Sequence, residues 1–479
     1  CELRGGTIDG LDLSEYGNEN AYVCVNGLSG YFKRTAAVNR VADGIKGLKV
    51  TGDGLSLGNW STEHTYIIAA DISGSGPINI NTQSNAGDPL NDATKIDKFA
   101  FTGDMSAFTG KVQFKASSYR PCYIFCSESD INSLPTPTDY GQIFVMAGKT
   151  VYARSQWKAP SGLYVSGEVD TTDVAISGTI YGDGVLRFSV PDPSNFPTLA
   201  STWTGTAILP SRQGSMTVNL GKFGVSGSKI KVMGFQGTGT GNSVKLGTDA
   251  VTATVELAGT VRLQHGADNT TYSIAALTGS GDFNATLTGT PTSTGNMRCT
   301  YSFTKLVDYT GTLSTVTAQN TESKQWWTKL TIGTVDVSSL DLTSNNPIVK
   351  LGGTRNITAI PALTVGGVDE GHSLYQASDG NLYVKVASVT VNDVTTYYPT
   401  IQAAADAATA AGGETISFTR IDAGAATSLP GWAYDADTGT FTRSGYVLNM
   451  TIGVEYSSLA AAILASSDGD TIQLLYDNS

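Results

Sequence analysis

The sequence predicts an all-β fold: an elongated β-solenoid or a set of stacked β-domains, followed by a small C-terminal region of β-α-β repeats. Three observations lead to this prediction. The composition favours short strands and turns, two glycine-containing patterns recur along the chain, and a longer unit occurs twice near the C-terminus. We expect residues 1–370 to form the β-rich repeat region and residues 371–479 to form the C-terminal region.

The composition of the 479-residue chain is typical of a folded β-protein. Charged residues make up 15%, well below the ~25% of an average soluble protein, so few strong formers of exposed helices are present. Thr, Val and Tyr are punctuated by 55 glycines, a mixture that favours strands and turns. The net charge of −12 argues against binding to nucleic acid or to anionic lipid head groups. No apolar stretch reaches the ~18 residues of a membrane span.

Two short patterns recur in the same order. The first is Gly-x-Gly followed by an apolar residue, which supplies positive-φ positions for tight turns between strands. The second is an aromatic residue followed by Thr-Gly. We expect its ring to stack on a neighbouring coil and its glycine to let the chain bend into the next strand. The first pattern begins at Gly52, Gly182 and Gly279, and the second begins at Phe108, Trp203 and Tyr309. Three ordered pairs indicate a repeat architecture.

These patterns resemble the strand repeats in the passenger regions of bacterial autotransporters, where a Gly-x-Gly turn precedes an aromatic-x-Gly-Thr-Leu-like strand. Residues 309–313, Tyr-Thr-Gly-Thr-Leu, are the best match. The resemblance covers scattered parts of residues 40–316. It implies a right-handed parallel β-helix or a related solenoid on the outer surface of a bacterial cell.

A longer unit occurs twice in the C-terminal region. Its first copy runs from Tyr398 through an alanine-rich stretch to Gly412-Gly413, and its second runs from Tyr456 to Gly469, each followed by alternating apolar residues. Each copy predicts a strand, a short helix that ends at glycine, and a second strand. The two copies cover about 395–420 and 452–479. They resemble the strand–helix–strand segment that opens many pectate-lyase-like β-helices.

Two hairpins are predicted beside these copies. Residues 375–384 contain a turn signal at Asp379-Gly380, and residues 430–443 contain one at Asp437-Thr-Gly439. In both segments, strand-forming residues flank the turn, as a β-hairpin requires.

The five cysteines are Cys1, Cys24, Cys122, Cys126 and Cys299. An odd number leaves at least one cysteine unpaired within the chain or paired with another chain. A Cys1–Cys24 bridge is expected in an oxidising compartment. Cys122 and Cys126 would lie on one face of a strand, too far apart for a direct bridge. Cys1 either carries a lipid, as in bacterial lipoproteins, or is the first residue of a processed fragment.

Residue types that carry catalysis or bind metals are sparse. The three histidines, His64, His265 and His372, are not spaced with another His or Cys as metal-binding motifs require. We therefore expect no catalytic, cofactor-binding or metal-binding residues and no enzymatic activity. The β-helix resemblance leaves a polysaccharide lyase or hydrolase as a third alternative, because successive coils can bring two carboxylates together.

Self-assembly is the function predicted first, as the structural subunit of an extracellular bacterial fibre, sheath or surface layer. Its basis is an apolar terminal strand that either adds to the sheet of another copy or pairs within its own repeat. The residues of this strand are Thr471, Ile472, Leu474, Leu475 and Tyr476. The alternative is a surface adhesin that binds glycans or matrix through Trp326 or Trp327, which would face opposite sides of a strand.

Overall fold

Strands dominate the computed structural model of this chain. Its described residues are 1–32, 36–59, 64–82, 98–110, 112–115, 122–131, 143–152, 157–158, 163–171, 176–177, 179–188, 198–214, 216–236, 244–263, 269–285, 297–315, 319–321, 324–353, 357–412, 416–444, 447–456 and 459–474. Strands make up 52% and helices 8%, and parallel stacked sheets form a β-solenoid of about 10 turns. The predicted all-β solenoid is therefore confirmed.

The chain folds into two compact units. The first comprises Cys1–Leu277 and Leu287–Thr292, and the second comprises Thr278–Thr286 and Ser293–Ser479. Residue 370, where the sequence predicts a boundary, lies inside the second unit.

The strands of the first unit are short and numerous. In chain order they are β1 (Glu2–Arg4), β2 (Thr7–Leu11), β3 (Tyr22–Phe32), β4 (Val38–Arg40), β5 (Gly47–Asn59), β6 (Thr65–Ile68), β7 (Asp71–Gly74), β8 (Ile78–Thr82), β9 (Lys98–Phe101), β10 (Val112–Lys115), β11 (Cys122–Phe125), β12 (Ile143–Val145), β13 (Thr150–Tyr152), β14 (Trp157–Lys158), β15 (Leu163–Val165), β16 (Glu168–Asp170), β17 (Ile176–Ser177), β18 (Thr179–Gly182), β19 (Val185–Arg187), β20 (Thr198–Leu199), β21 (Thr206–Leu209), β22 (Arg212–Gln213), β23 (Met216–Val218), β24 (Lys229–Val232), β25 (Phe235–Gln236), β26 (Val244–Leu246), β27 (Val251–Leu257), β28 (Val261–Arg262) and β29 (Thr270–Gly279). The last of these begins in the first unit and ends in the second.

These strands stack into parallel sheets, one strand per coil. The longer orders are β1-β3-β5-β8-β10, β20-β18-β15-β12-β11-β9-β6-β4 and β13-β16-β19-β21-β24-β27, and shorter sheets join β22-β25-β28, β23-β26 and β14-β17. Parallel neighbours cannot be joined by a tight hairpin, so the chain passes through other sheets before it returns one coil further along.

Stacked apolar side chains hold successive coils of the first unit together. Leu28 pairs with Leu55, Leu55 with Ile78, and Ile78 with Val112, and all four side chains are buried. Each coil thus covers the apolar residues of the coil before it, which is how repeat folds form a core without a compact globule.

The aromatic-Thr-Gly pattern forms corners at which coils approach closely. Trp203 is fully buried, and a Cβ atom on Gly205 would lie 2.4 Å from Trp203 Cζ2. The same Cβ would lie 2.2 Å from the carbonyl oxygen of Gly184, which accepts a 2.8 Å hydrogen bond from the Thr206 N–H. Carbonyl oxygens crowd the other two copies in the same way: Gly110 by that of Gly76 and Gly311 by that of Gly281. The aromatic ring of the pattern therefore packs on the glycine of the same copy, as Trp203 does on Gly205. This differs from the expected stacking of the ring on a neighbouring coil.

The Gly-x-Gly pattern also differs in one copy from its predicted role. Gly182 ends β18 and Gly184 precedes β19, so this copy does connect two strands. Gly52 and Gly54 have φ values of 54° and 86°, as predicted, but both lie inside the continuous strand β5. There the register with β3 shifts by a bulge, and the positive-φ residues bend one strand instead of ending it.

The second unit combines parallel strands with antiparallel ones. Its strands are β30 (Phe283–Asn284), β31 (Met297–Val307), β32 (Thr312–Thr315), β33 (Gln319–Thr321), β34 (Lys324–Val337), β35 (Lys350–Gly353), β36 (Ala362–Val365), β37 (Leu374–Gln376), β38 (Leu382–Val384), β39 (Ala387–Val391), β40 (Val394–Tyr398), β41 (Ser417–Arg420), β42 (Trp432–Asp435), β43 (Thr440–Arg443), β44 (Val447–Asn449), β45 (Val454–Tyr456) and β46 (Ile472–Leu474). The helices are α1 (Ile401–Ala411) and α2 (Leu459–Ala465). Parallel pairs join β30-β32-β35 and β31-β34-β36, and the described pairs from β37 onward are antiparallel.

The two C-terminal copies share one topology. In the first copy, β39 lies between β40 and β41, and α1 connects these outer strands. In the second copy, β44 lies between β45 and β46, and α2 makes the same connection. We call these β-β-α-β units repeat one (387–420) and repeat two (447–474). The predicted hairpins are also confirmed, as β37-β38 and β42-β43.

The helix ends agree with the prediction in repeat one but not in repeat two. The Thr400 hydroxyl accepts a 3.0 Å hydrogen bond from the Ala403 N–H and caps the start of α1. Gly412, with φ of 68°, ends this helix. The second helix ends at Ala465, before Gly469, because the Ser467 N–H donates to the Asp470 carboxylate and the chain turns there.

Candidate functional site

Repeat one shows how a β-β-α-β unit of this protein is covered by its helix and extended at one edge. The residues of α1 that face the sheet are buried: Ile401, Ala404, Ala405 and Ala408. On β41, Phe418 is 2% exposed, with ring centroids of Trp432 and Phe441 at 4.9 and 4.7 Å. Both rings belong to the β42-β43 hairpin, which extends the sheet by pairing β43 with β41. This unit is therefore complete only after the hairpin has joined it.

Repeat two is held together by one buried polar side chain. Asn449 on the central strand is fully buried, and its amide donates to Ser466 Oγ at 2.9 Å and to an Asp470 carboxylate oxygen at 2.8 Å. Its side-chain oxygen accepts the Thr451 N–H at 3.1 Å. The hydrogen bond from Asn449 and those from Ser467 and Thr451 lower the pKa of Asp470. One side chain thus fixes the end of α2 and both adjoining turns, which compensates for a small apolar core.

Several large apolar side chains of repeat two are exposed. They are Met450, Ile452, Val454, Leu459, Ile463, Leu464 and Leu474, with Leu464 90% exposed. We call this set the apolar surface of repeat two. Single exposed apolar residues are ordinary in proteins, but a concentration within one small unit is typical of a surface that binds another chain.

Equivalent positions of the two repeats differ in what covers them. In the registers of the two sheets Leu474 corresponds to Arg420, and Ile472 therefore corresponds to Phe418. Phe418 is buried, whereas Ile472 is half-buried. Ala405 is 2% exposed, and its counterpart Ile463 is larger and 58% exposed. Among the residues that the structure describes, nothing plays the part of the β42-β43 hairpin for repeat two. Within the described residues, these apolar side chains of repeat two therefore have no such cover.

Part of the predicted terminal strand lies on this surface. Ile472 and Leu474 belong to β46, and Thr471 precedes it, donating its N–H to Thr451 Oγ at 2.9 Å. One edge of β46 pairs with β44 of the same repeat. Leu475 and Tyr476 lie outside the described residues. Comparing the two repeats residue by residue would have revealed the rest of the surface, because Ile463 replaces an alanine.

The two tryptophans predicted to bind glycans lie on β34. The side chain of Trp326 is outside the described residues, whereas Trp327 is half-buried. The Lys329 ammonium lies 4.4 Å from the centroid of the Trp327 ring, a cation–π contact that covers one ring face.

The cysteines occupy three environments. Cys1 is exposed and its carbonyl accepts a 2.7 Å hydrogen bond from the Cys24 N–H, but neither thiol is in a disulfide here. Cys126 is buried, and burial together with the Asp130 charge raises the pKa of its thiol to about 11. Cys299 is buried on β31. The side chain of Cys122 lies outside the described residues.

A half-buried lysine lies beside a cavity of about 260 Å³ in the first unit. The Lys149 ammonium donates to the carbonyl oxygens of Thr102 and Gly103 at 2.7 and 2.8 Å. Burial lowers the pKa of Lys149, although Asp104 and other nearby charges oppose this effect. The ammonium connects two coils through backbone carbonyls, which is a structural use of the charge.

A histidine–carboxylate cluster lies in the second unit. His372 Nδ1 is 2.6 Å from an Asp422 carboxylate oxygen, and Nε2 is 3.3 Å from one of Glu370. Burial alone would lower the pKa of His372, but the hydrogen bonds and charges of Asp422 and Glu370 outweigh it and raise the pKa. The described part of the chain contains no group of three or more His, Cys, Asp or Glu side chains that could hold a metal ion.

No family model, curated protein or solved structure matches this chain. The resemblance to autotransporter passengers therefore holds for the β-solenoid architecture alone. Within the described segments, no helix has the length and apolar character needed to cross a membrane.

Proposed function

We propose that this protein is a structural subunit that self-assembles into an extracellular bacterial fibre, sheath or surface layer. The apolar surface of repeat two is the observation that carries the proposal. The solenoid supports it, because stacked coils provide a long-lived scaffold that needs no catalytic group. The low charge content supports it as well, since charged residues are depleted in the core of protein interfaces.

The expected strength of one such contact is modest. Covering the remaining exposed part of an apolar side chain contributes roughly 1 kcal/mol, so the whole apolar surface would contribute on the order of 7 kcal/mol before losses. Association costs about 4–15 kcal/mol in lost translational and rotational freedom. One contact is therefore weak alone, and assembly should depend on protein concentration and on a further contact between subunits.

Light scattering and negative-stain electron microscopy across a concentration series test this function. We expect regular polymers above a threshold concentration, with and without reductant, so that chance disulfides through Cys1 are separated from assembly. Leu464→Glu should raise the threshold, because it places a charge at the most exposed apolar position. Val394→Glu, at a 66% exposed position of repeat one, is the matched control and should assemble like the original chain. Isolated particles at every concentration would overturn the proposal.

A further inference from the structure

We infer that the outer edge of β46 pairs antiparallel with β46 of a second copy of this chain, so that two copies of repeat two form one continuous sheet. This inference rests on the proposed self-assembly and names the contact that begins it. Three features of the molecule support it: the internal duplication, the edges of β1 and β2, and the register of β46.

Repeat one shows what fits on this edge. Its third strand, β41, pairs with the central strand β39 on one side and with β43 on the other, antiparallel in both cases. Phe441 on β43 stacks on Phe418 with an interplanar angle of 10°. In repeat two the third strand is β46, and its described pairing is with the central strand β44. An antiparallel strand with an apolar side chain therefore fits this edge, and under the proposed self-assembly a second copy supplies it.

The edges of β1 and β2 carry features beyond short length that disfavour such pairing, and β46 carries none of these. On β1, Glu2 and Arg4 form an exposed ion pair, and charges on an edge disfavour the addition of another strand. On β2 the register with β3 shifts between Asp9 and Leu11, and a bulge blunts an edge. The sequence of β46, Ile-Gln-Leu, has no charge, proline or glycine.

The register allows β46 to pair with itself. The Met450 N–H donates to Thr471 O at 2.7 Å, so in an antiparallel ladder the N–H and C=O of Gln473 also point toward β44. Those of Ile472 and Leu474 then point to the outer edge. A two-fold axis through Gln473 would pair Ile472 of each copy with Leu474 of the other. This exchange of identical surfaces is the usual form of contact between two copies of one chain.

The same axis places the two Gln473 side chains opposite each other as a non-hydrogen-bonded pair, in which side chains are closest. A charged side chain at position 473 would therefore lie opposite the same charge in the second copy. Two like charges about 5 Å apart in water repel by about 1 kcal/mol, which weakens the contact roughly fivefold. Gln473 is exposed, so the substitution leaves the fold of the monomer intact.

Charge exchange at Gln473 tests the inference. We expect Gln473→Lys alone and Gln473→Glu alone each to raise the dissociation constant of the pair about fivefold, measured by analytical ultracentrifugation. An equal mixture of the two variants should restore or exceed the original affinity, because Lys then faces Glu. The matched control is the same pair of substitutions at Thr395, exposed on the edge strand β40 of repeat one, which should change nothing.

Disulfide trapping gives a second readout. In a Cys1→Ser background, Gln473→Cys should form a dimer linked between chains under mild oxidation, whereas Thr395→Cys should not. If the original chain assembles but the mixture shows no rescue and no linked dimer forms, the edge pairing is overturned and the proposed function stands. If residues 475–479 of the same chain cover the edge, Gln473→Cys remains a protected thiol, which also overturns it. If the original chain stays monomeric at every concentration, the proposed function fails as well.

Discussion

The glycine corners of the solenoid can be tested by adding one methyl group at Gly205. In the structure this Cβ would lie 2.2 Å from the carbonyl oxygen of Gly184 on the preceding coil and 2.4 Å from the ring of Trp203. Real Cβ atoms essentially never come this close to other heavy atoms, and Trp203 is fully buried and cannot turn away. Gly205→Ala must therefore push two coils apart.

The loss of stability can be estimated from the contacts that are broken when the two coils move apart. A shift of about 1 Å would lengthen the 2.8 Å hydrogen bond from the Thr206 N–H to Gly184 O, and loss of a buried hydrogen bond costs about 1–3 kcal/mol. Overpacking of a tight core costs a further ~1–3 kcal/mol. We expect Gly205→Ala to lower the free energy of unfolding by about 2–6 kcal/mol.

Hydrogen exchange at the Thr206 amide measures this change where it occurs. A loss of 2 kcal/mol corresponds to exchange faster by about 30-fold, since each 1.4 kcal/mol is a factor of ten. Thr204→Ala is the neighbouring control, because Thr204 is exposed and such substitutions stay within about 0.5 kcal/mol. Equal protection of the Thr206 amide in Gly205→Ala and in the original chain would refute the steric explanation.

Two further predictions concern charged groups. The neighbouring carboxylates raise the pKa of His372 above 6.5, so protonation of His372 should stabilise the fold fully below pH 6.5. This stabilisation should be lost as the pH rises through the raised pKa. Urea unfolding from pH 5 to pH 9 should show the loss, and His372→Gln should abolish this pH dependence. Lys149→Met should lower the free energy of unfolding by about 1–2 kcal/mol in thermal melts, because two backbone carbonyls lose their donor. A variant as stable as the original chain would show that water replaces the ammonium.

The sequence carries strong local signals for the corners and the helices but weak ones for the central strands of the repeats. The aromatic-Thr-Gly pattern is readable because the close approach of two backbones excludes every side chain at that glycine. The copies at Tyr398 and Tyr456 are readable because helix and turn residues are set by local rules. The sequence pattern does not predict β39 and β44 as members of the repeat, because their sequences differ and strand preference depends on the partners on either side.

Burial of the sheet residues of repeat one cannot be predicted from that repeat alone, because it depends on the β42-β43 hairpin that follows the repeat in sequence. Burial of Phe418 requires Trp432 and Phe441, which lie beyond the repeat itself. The alanine-to-isoleucine difference between Ala405 and Ile463 is the available signal for the apolar surface of repeat two, and it becomes informative only when the two repeats are aligned.

The two repeats differ in how the neighbouring chain extends them. A repeat unit cannot bury both faces by itself, so each unit of a repeat fold depends on the next element for its cover. In the first unit each coil pairs with the following coil, and in repeat one the sheet pairs with the β42-β43 hairpin. The two-fold pairing of β46 proposed above would extend the sheet of repeat two, but it closes on itself and joins only two copies. A polymer therefore requires a second contact elsewhere in the chain, and Gln473→Lys should reduce polymer yield without abolishing that second contact.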